Sequence, residues 1–197
     1  MTGTRGHGNM RLIITAPDGG RMDITDEVNK PIYTFGFVKP HAYPRYKEIM
    51  GDIWNLSESR SSPLYVLVQK DDYMTPEVAE KHYAAHRERP FFGDLIRMVT
   101  GPTHLFLLAG DDAIPSFRSI LGATDPSRAE EGTLRRKYGE PERGVAYNAV
   151  HGSDGIGSMV TETLLHFGRE DVDEFVWARI DAYKKWLDYL KSTDVSE

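Results

Sequence analysis

The segment Asn148-Ala149-Val150-His151-Gly152-Ser153-Asp154 places one histidine between a β-type run and a turn of small polar residues. The run from Val145 to Val150 predicts a strand that delivers His151 into this turn. Glu162 follows eleven positions after His151, on a segment with helical spacing. A neutral imidazole is a nucleophile when a partner on its second nitrogen fixes its tautomer. His151 is therefore a candidate nucleophile, with Glu162 as its partner and Ser153 assisting, although a histidine beside a glycine is also a common turn residue.

Composition limits the class of protein. The chain has 197 residues, of which 40% are hydrophobic and 27% charged, and this suits a globular chain with a sizeable core. A formal net charge of −6 argues against a nucleic-acid partner. The absence of cysteine excludes disulfides, thiolate metal sites and cysteine nucleophiles, and fits a cytoplasmic location. The longest apolar run, Leu105 to Ala109, is far shorter than the ~20 residues that span a bilayer, so we expect no membrane partner.

Hydrophobic periodicity and turn residues divide the chain into strands and helices. A hairpin is predicted where Arg11 to Thr15 and Arg21 to Thr25 flank a Pro-Asp-Gly-Gly turn. Strands are predicted at 32–38, 64–68, 103–109 and 145–150. Helices are predicted at 46–56, 75–86, 91–99, 112–121, 158–167 and 172–190. Residues 123–144 carry little periodicity and are predicted to form a long loop.

This order predicts an α+β fold. It fits a ferredoxin-like βαββαβ sandwich in which helices cover one face of a mainly antiparallel sheet. The N-terminal hairpin, the long loop before the catalytic strand and the C-terminal helix are additions to that unit. We expect an N-terminal extension at 1–30, a core domain at 31–170 and a C-terminal helical extension at 171–197. The apolar stripe from Val172 to Leu190 must be buried on its own subunit or against a neighbour.

Several short motifs occur in a fixed order between Lys39 and Phe167, which is about two thirds of the chain. They are Val38-Lys39-Pro40; His82-Tyr83 leading into Arg89-Pro90-Phe91-Phe92; Arg118 through Leu121-Gly122-Ala123-Thr124-Asp125-Pro126; Gly132-Thr133-Leu134-Arg135; and Asn148 through His151-Gly152-Ser153-Asp154, with Glu162 beyond. Each motif is weak alone. Together and in this order, ending in His-Gly-Ser-Asp, they resemble the nucleoside diphosphate kinase family.

The resemblance implies that His151 takes the γ-phosphoryl group of a nucleoside triphosphate as phosphohistidine, while Glu162 and Ser153 hold its ring. It implies that the transferring phosphate is surrounded by donors and cations, namely Lys39, Tyr83, Arg118, Thr124 and Arg135. These residue types suit the chemistry, because phosphoryl transfer needs positive charge around the spreading oxygen charge. Arginine makes bidentate phosphate contacts, and lysine acts as a mobile point charge.

The same resemblance implies a sugar site at Asn148 and Lys39, and a base site where Phe91 stacks opposite Val145. An aromatic face and an aliphatic wall distinguish bases poorly, which suits an enzyme that accepts all of them. The implied substrates are nucleoside tri- and diphosphates. The implied cofactor is Mg²⁺, held mostly by phosphate oxygens and water, so we assign it no protein ligand. Members of this family are generally oligomers, and we therefore expect a homo-oligomer.

Taken singly, these residues have plainer interpretations. Phe91 and Phe92 would fit a core, Arg118 a solvated helix face, and Arg135 to Lys137 a charged loop. The pair His82 and His86, four positions apart, would suit zinc, but the sequence offers no third ligand beside them. Taken jointly, the plainer interpretations are weaker, because unrelated residues have no reason to reproduce the order of one family.

The chain also departs from the family pattern. His41 stands where the family has Asp after Lys-Pro, and Ala85 where an acidic residue is often found near the metal. Arg136-Lys137 replaces Gly-Asp, and the interval from 135 to 148 is about three residues longer than usual. Two alternatives therefore stay open. One is a nucleotide-binding or regulatory module with reduced or altered activity, and the other is a phosphotransferase with a different acceptor.

Overall fold

The computed structural model describes residues 13–15, 19–23 and 31–193. An antiparallel hairpin near the N-terminus joins β1 (Ile13–Thr15) to β2 (Arg21–Asp23), where the sequence predicts one. The turn at 16–18 and the outer ends of the predicted hairpin lie outside the described residues.

The main sheet contains β3 (Tyr33–Val38), β4 (Tyr65–Met74), β5 (Gly101–Ala109) and β6 (Val150–Gly152). Its spatial order is β4-β5-β3-β6, and all three pairings are antiparallel. The first and third of these strands along the chain are therefore central, which is the strand order of a ferredoxin-like sandwich. The predicted α+β fold is confirmed.

Seven α-helices lie within the described residues. They are α1 (Tyr46–Ser59), α2 (Pro76–His82), α3 (Phe92–Val99), α4 (Ala113–Leu121), α5 (Leu134–Tyr138), α6 (Ile156–His166) and α7 (Glu174–Thr193). Thr75 caps α2, because its hydroxyl accepts the backbone N–H of Val78. In the described part of the chain, no helix combines the length and the hydropathy needed to span a bilayer.

Helices cover both faces of the sheet, so the prediction of one covered face was wrong. Phe35 and Phe37 of β3 pack into a core with α2, α3, α6 and α7. Val38 of β3 and Phe106 of β5 belong to a second core with α1, α4 and α5. Because side chains alternate along a strand, a central strand with apolar residues on successive positions needs cover on both sides.

Several predicted boundaries also differ. The strand predicted at 64–68 runs on to Met74, because it stays paired with β5 over its whole length. The predicted helix at 75–86 ends at His82, and a short 3-10 helix follows at Ala84–His86. The predicted strand at 145–150 begins only at Val150, because Ala149 has φ +65° and cannot continue extended backbone. The predicted loop at 123–144 contains α5, a helix too short to produce a periodic pattern.

The C-terminal helix α7 is buried on its own subunit. Ile180 and Tyr183 are fully buried in the same core as Phe35 and Phe37. Trp177 packs there as well, and its indole N–H donates to the carbonyl of Arg169 at 3.2 Å. The part of the apolar stripe whose side chains the structure describes is therefore covered within the chain, from Val172 to Tyr183 and at Leu187.

Two glycines make room for close packing around β3 and β6, Gly36 for the ring of Phe106 and Gly152 for α4. Gly36 and Gly152 are partners in the strand register. A Cβ atom on Gly152 would lie 2.7 Å from side-chain atoms of Leu121 and Phe117, closer than packed atoms tolerate. The strand that carries His151 can lie against α4 only because this position has no side chain.

Candidate active site

A cleft of about 1150 Å³ brings together residues that are far apart in the sequence. It is lined by ten of the eleven predicted site residues: Lys39, Tyr83, Phe91, Arg118, Thr124, Arg135, Val145, Asn148, His151 and Glu162. The eleventh, Ser153, is fully buried behind the wall of the cleft. The volume is slightly above the roughly 300–1,000 Å³ of typical small-molecule pockets.

His151 lies on β6 itself, rather than in the turn after it, with its ring at the floor of the cleft. The ring stacks on Phe37, with centroids 4.9 Å apart and planes inclined by 26°. Its Nε2 atom lies 3.1 Å from Oε1 of Glu162. The contact is within ion-pair distance, although the ring is not aligned for a straight hydrogen bond. The side chain keeps 17% exposure, so a ligand in the cleft can reach it.

Ser153 holds the other carboxylate oxygen of Glu162. Its hydroxyl donates to Oε2 of Glu162 at 2.5 Å, and its backbone N–H donates to the carbonyl of Phe35 at 3.0 Å. Burial alone raises the pKa of Glu162, but the neighbouring His151 and these donors outweigh it and lower the pKa to about 2. Glu162 is therefore a carboxylate at any working pH.

Lys39 directly follows β3 and is almost completely buried at the edge of the cleft. Its Nζ atom donates to the carbonyl of Ala146 at 2.9 Å. Burial, with the positive charge of Arg135 as a second cause, lowers the pKa of Lys39 from 10.5 to about 7. An anion in the cleft would favour the charged form of this side chain.

Arg135 is the second buried cation of the cleft. Its guanidinium donates to the carbonyl of Val150, with Nε at 3.3 Å and Nη2 at 3.2 Å, and to the carbonyl of Gly122 at 3.1 Å. Burial, with Arg118 as a second cause, lowers the pKa of Arg135 to about 10. The side chain thus supplies positive charge to the cleft and also anchors the residue before His151.

Tyr83 is buried on the opposite wall, with its ring centroid 6.1 Å from that of His151. Burial, with the charge of Glu162 as a second cause, raises the pKa of Tyr83 well above its usual range. The phenol therefore stays protonated and is a permanent hydrogen-bond donor.

The outer part of the cleft is exposed. Arg118 on α4 and Thr124 after it face solvent. Phe91 and Val145 are each 52% exposed and line the cleft. The plainer interpretation of Phe91 as a core residue is therefore wrong, whereas Phe92 is partly buried against the core.

Asn148 is buried and has one free acceptor. Its Nδ2 donates to the carbonyl of Thr124 at 2.9 Å, while its Oδ1 has no hydrogen-bond partner. A buried polar atom without a partner costs free energy, so a hydroxyl group of a ligand would be a favourable partner here.

His41 supports the segment that leads to β6. Its Nε2 accepts the backbone N–H of Ala149 at 3.2 Å, and its ring contacts Tyr147 with centroids 5.1 Å apart. Burial, with Lys39 as a second cause, lowers the pKa of His41 to about 4. The neutral ring can therefore hold Ala149 in its positive-φ conformation.

Sequence reasoning missed two histidines beside Glu162. His82 Nε2 lies 3.7 Å from Oε1 of Glu162, and His82 Nδ1 lies 3.0 Å from Nε2 of His166. Burial, with His151 as a second cause, lowers the pKa of His82 to about 2 and that of His166 to about 4. The i,i+4 spacing of His82 and His86 gave a misleading signal, because the helix ends at His82 and His86 is exposed.

Comparisons with known proteins agree with this geometry. The family model for nucleoside diphosphate kinase matches residues 33–172. A nucleoside diphosphate kinase of Bdellovibrio bacteriovorus is 40% identical over 140 residues, which cover 71% of this chain and 94% of that protein. One of Helicobacter pylori is 39% identical over 140 residues and is covered to 97% of its length.

Solved structures give the same result. A halophilic nucleoside diphosphate kinase from Halobacterium salinarum, solved in complex with CDP, has a TM-score of 0.63 and 32% identity. The match covers 74% of this chain and 97% of that one. The Aquifex aeolicus enzyme has a TM-score of 0.62 and 30% identity, with 72% and 99% of the two chains covered. The matched length, the identity and the shared fold place this chain in the nucleoside diphosphate kinase family.

Proposed function

We propose that this protein moves the γ-phosphate of a nucleoside triphosphate to a nucleoside diphosphate by a ping-pong mechanism through phosphorylated His151. The observation that carries the proposal is the setting of this ring. It lies at the floor of a cation-lined cleft, and its Nε2 faces Glu162. With an N–H on Nε2 directed to the carboxylate, the lone pair of Nδ1 is the nucleophile.

In the first half-reaction, Nδ1 of His151 attacks the γ-phosphorus, and the bond from phosphorus to the β,γ-bridging oxygen breaks. The diphosphate leaves with that electron pair, and Glu162 stabilises the positive charge on the ring. Lys39, Arg118 and Arg135 balance the charge of the phosphate oxygens. The second half-reaction reverses these steps with another diphosphate.

Sugar and base recognition follow from the rest of the cleft. Oδ1 of Asn148 and the ammonium of Lys39 supply an acceptor and a donor for sugar hydroxyls. Phe91 and Val145 supply two apolar walls for a base. Apolar contact contains no pattern of donors and acceptors that would select one base, which supports a broad acceptor range.

Mg²⁺ is the cofactor that fits this donor set. The carboxylates that line the cleft are Asp94, Asp154 and Glu162, and Glu162 is occupied by His151 and Ser153. Mg²⁺ prefers oxygen ligands and keeps several waters, so triphosphate oxygens would hold most of its coordination sphere. The bound ion would neutralise phosphate charge.

A homo-oligomer is the assembly we propose. Within the described residues β4 is an edge strand, and Tyr65, Val66 and Leu67 on it are exposed. Trp54 of α1 adds to this apolar surface through its contact with Tyr65. An exposed apolar stretch on an edge strand favours pairing with another chain, and a second copy would supply that cover.

Sedimentation equilibrium tests this assembly. Wild-type protein should sediment as a closed oligomer, and Val66→Lys should shift it toward the monomer. Leu164→Lys, an exposed apolar position on α6, serves as the matched control and should leave the mass unchanged. A monomeric wild-type protein would contradict the proposal.

We also propose the division into 1–30, 31–170 and 171–197, which the matched range of 33–172 supports for the central part. The lack of cysteine supports a cytoplasmic location.

Incubation with γ-labelled ATP tests the activity. Acid-labile, base-stable label should accumulate on one residue and be chased by a mixture of nucleoside diphosphates. A protein that binds ATP without labelling would be a binding module. Label that no nucleoside diphosphate removes would indicate a different acceptor.

A further inference from the structure

Three side chains converge at the inner end of the cleft with two nitrogen atoms left unpaired. Nε2 of His151 lies 3.1 Å, and Nε2 of His82 3.7 Å, from the same oxygen, Oε1 of Glu162. One ligand atom from each residue lies within 4.8 Å of the other two. Neither imidazole nitrogen has a hydrogen-bond partner of good geometry. The three side chains surround a common space, but the two imidazole nitrogens form no hydrogen bond with the carboxylate.

The unpaired nitrogen of His82 is the more informative one, because the side chain is 99% buried. If Nδ1 of His82 donates to His166, then Nε2 presents a bare lone pair to a carboxylate. If His166 donates instead, then the N–H on Nε2 of His82 is 3.7 Å from its acceptor, too far for a hydrogen bond. Either tautomer leaves a buried polar atom unsatisfied, and such an atom calls for a ligand.

We propose that His82, His151 and Glu162 form a site for a divalent transition-metal ion, with Zn²⁺ as the ion that fits best. Zinc binds imidazole nitrogen and carboxylate oxygen at about 2.0–2.2 Å, and two histidines with one glutamate, plus water in the fourth position, are a ligand set found at catalytic zinc sites. Tetrahedral ligands at that length are separated by roughly 3.3 Å. The distances of 3.1 and 3.7 Å from Oε1 lie on either side of this value.

The surroundings complete the site. His82 directs its other nitrogen, Nδ1, to His166, and an orienting partner of this kind accompanies most metal-binding histidines. Oε2 of Glu162 accepts from Ser153, which leaves Oε1 for the ion. Water in the cleft would supply the fourth ligand, because His151 and Glu162 both line it. The nitrogen ligands disfavour Mg²⁺, which prefers oxygen.

Occupation of this site would compete with phosphoryl transfer. The ion would bind the lone pair of Nε2 on His151, so the ring proton that the mechanism places on Nε2 would move to Nδ1, and Glu162 would no longer be the partner of the ring. A protonated Nδ1 has no lone pair for attack, so Zn²⁺ should block phosphorylation of His151. This inhibition rests on the proposed function, whereas the binding of the ion does not.

Co²⁺ is the probe, since its visible absorption reports tetrahedral coordination directly. Metal-free wild-type protein should bind one Co²⁺ per chain with visible d–d bands, and Zn²⁺ should displace it. The absence of cysteine removes competing thiolate sites. His82→Gln should raise the dissociation constant by about 100-fold or more. His86→Gln, at an exposed histidine of the same cleft, is the matched control and should bind as wild type does.

A second measurement does not depend on the variants. The imidazole ¹⁵N resonances of wild-type protein should show metal-induced shifts at Nε2 of two histidines upon addition of Zn²⁺. Equal Co²⁺ binding by wild type and His82→Gln would overturn the proposal, as would binding no tighter than that of an exposed histidine. If the ion binds in this way and His151 is never phosphorylated by ATP, the site stands and the proposed function fails.

Discussion

The inner and outer ends of the cleft are built differently. At the inner end, Glu162, Ser153 and Arg135 are buried and fixed by hydrogen bonds to one another or to backbone carbonyls. At the outer end, Phe91 and Val145 are half exposed, and Arg118 faces solvent. The inner end is therefore preorganised, and the outer end is adaptable. In the proposed function, the transfer step is the same for every substrate and uses the rigid groups of the inner end. The base, which varies between substrates, contacts the adaptable surfaces of the outer end.

The largest expected effect is at the inner end. His151→Gln should abolish phosphoenzyme formation from labelled ATP, because His151 is partly exposed in the described cleft and lies 3.1 Å from the Glu162 carboxylate, whereas the side chain of His82 is buried and 3.7 Å away. Nucleotide binding, measured by calorimetry, should remain close to wild type. His86→Gln is the control and should label normally. If His151→Gln still becomes labelled, then the nucleophile is another residue.

Lys39→Met should reduce the rate of transfer by roughly 10²–10³-fold, since a buried cation beside the phosphate is lost. The same variant also tests the lowered pKa of Lys39, through the pH dependence of folding stability. Between pH 7 and 10.5 the unfolded chain keeps the Lys39 proton while the folded protein releases it, so this group makes wild-type stability rise with pH in that window. Urea unfolding at several pH values should show that the variant lacks this increment.

The exposed Lys81→Met is the control for Lys39 and should unfold with the pH dependence of wild type. A Lys39→Met protein whose stability follows the wild-type pH profile would show that burial does not perturb this ammonium.

Glu162→Gln should slow phosphoenzyme formation by about 10–100-fold without abolishing it, because the residue orients the ring and does not react. The depressed pKa of Glu162 also stabilises the folded state above pH 4.5, and this stability is lost as the pH falls toward about 2. Acid unfolding of the variant should lack this contribution. If Glu162→Gln is unfolded at neutral pH, then the carboxylate has only a structural role.

The smallest effect is expected at the outer end. Phe91→Ala should weaken the binding of every nucleoside diphosphate by a similar amount, on the order of 1–3 kcal/mol, if the ring is a stacking platform. Phe92→Ala is the matched control, since that ring packs on the core, and it should lower stability rather than affinity. A base-dependent loss in Phe91→Ala would show that the outer end is selective, and the contrast drawn above would fail.

Much of the fold follows from the sequence because strands and helices have local signals. The wrong predictions occur where pairing between strands, rather than the local sequence, sets the ends of an element. The strand predicted at 103–109 begins two residues earlier, so Gly101 and Pro102 also belong to β5. They pair with β4 beyond the end of β3, whose partners begin at His104, so proline loses no hydrogen bond on the β3 side.

The candidate site likewise contains residues that local motifs predict and residues that only tertiary packing brings together. Motif order predicted ten residues that line one cleft. The cluster of His82, His166 and Glu162 was invisible, because its members come from two helices that only the tertiary packing brings together. A spacing rule within one helix instead paired His82 with His86, which lies outside the cluster.

The burial of α7 has a consequence for truncation. The family match ends at residue 172, but Ile180 and Tyr183 belong to the core that contains Phe37, the ring on which His151 is stacked. A chain cut at the end of the matched range would therefore lose packing beneath His151, although no residue of the cleft itself would be removed.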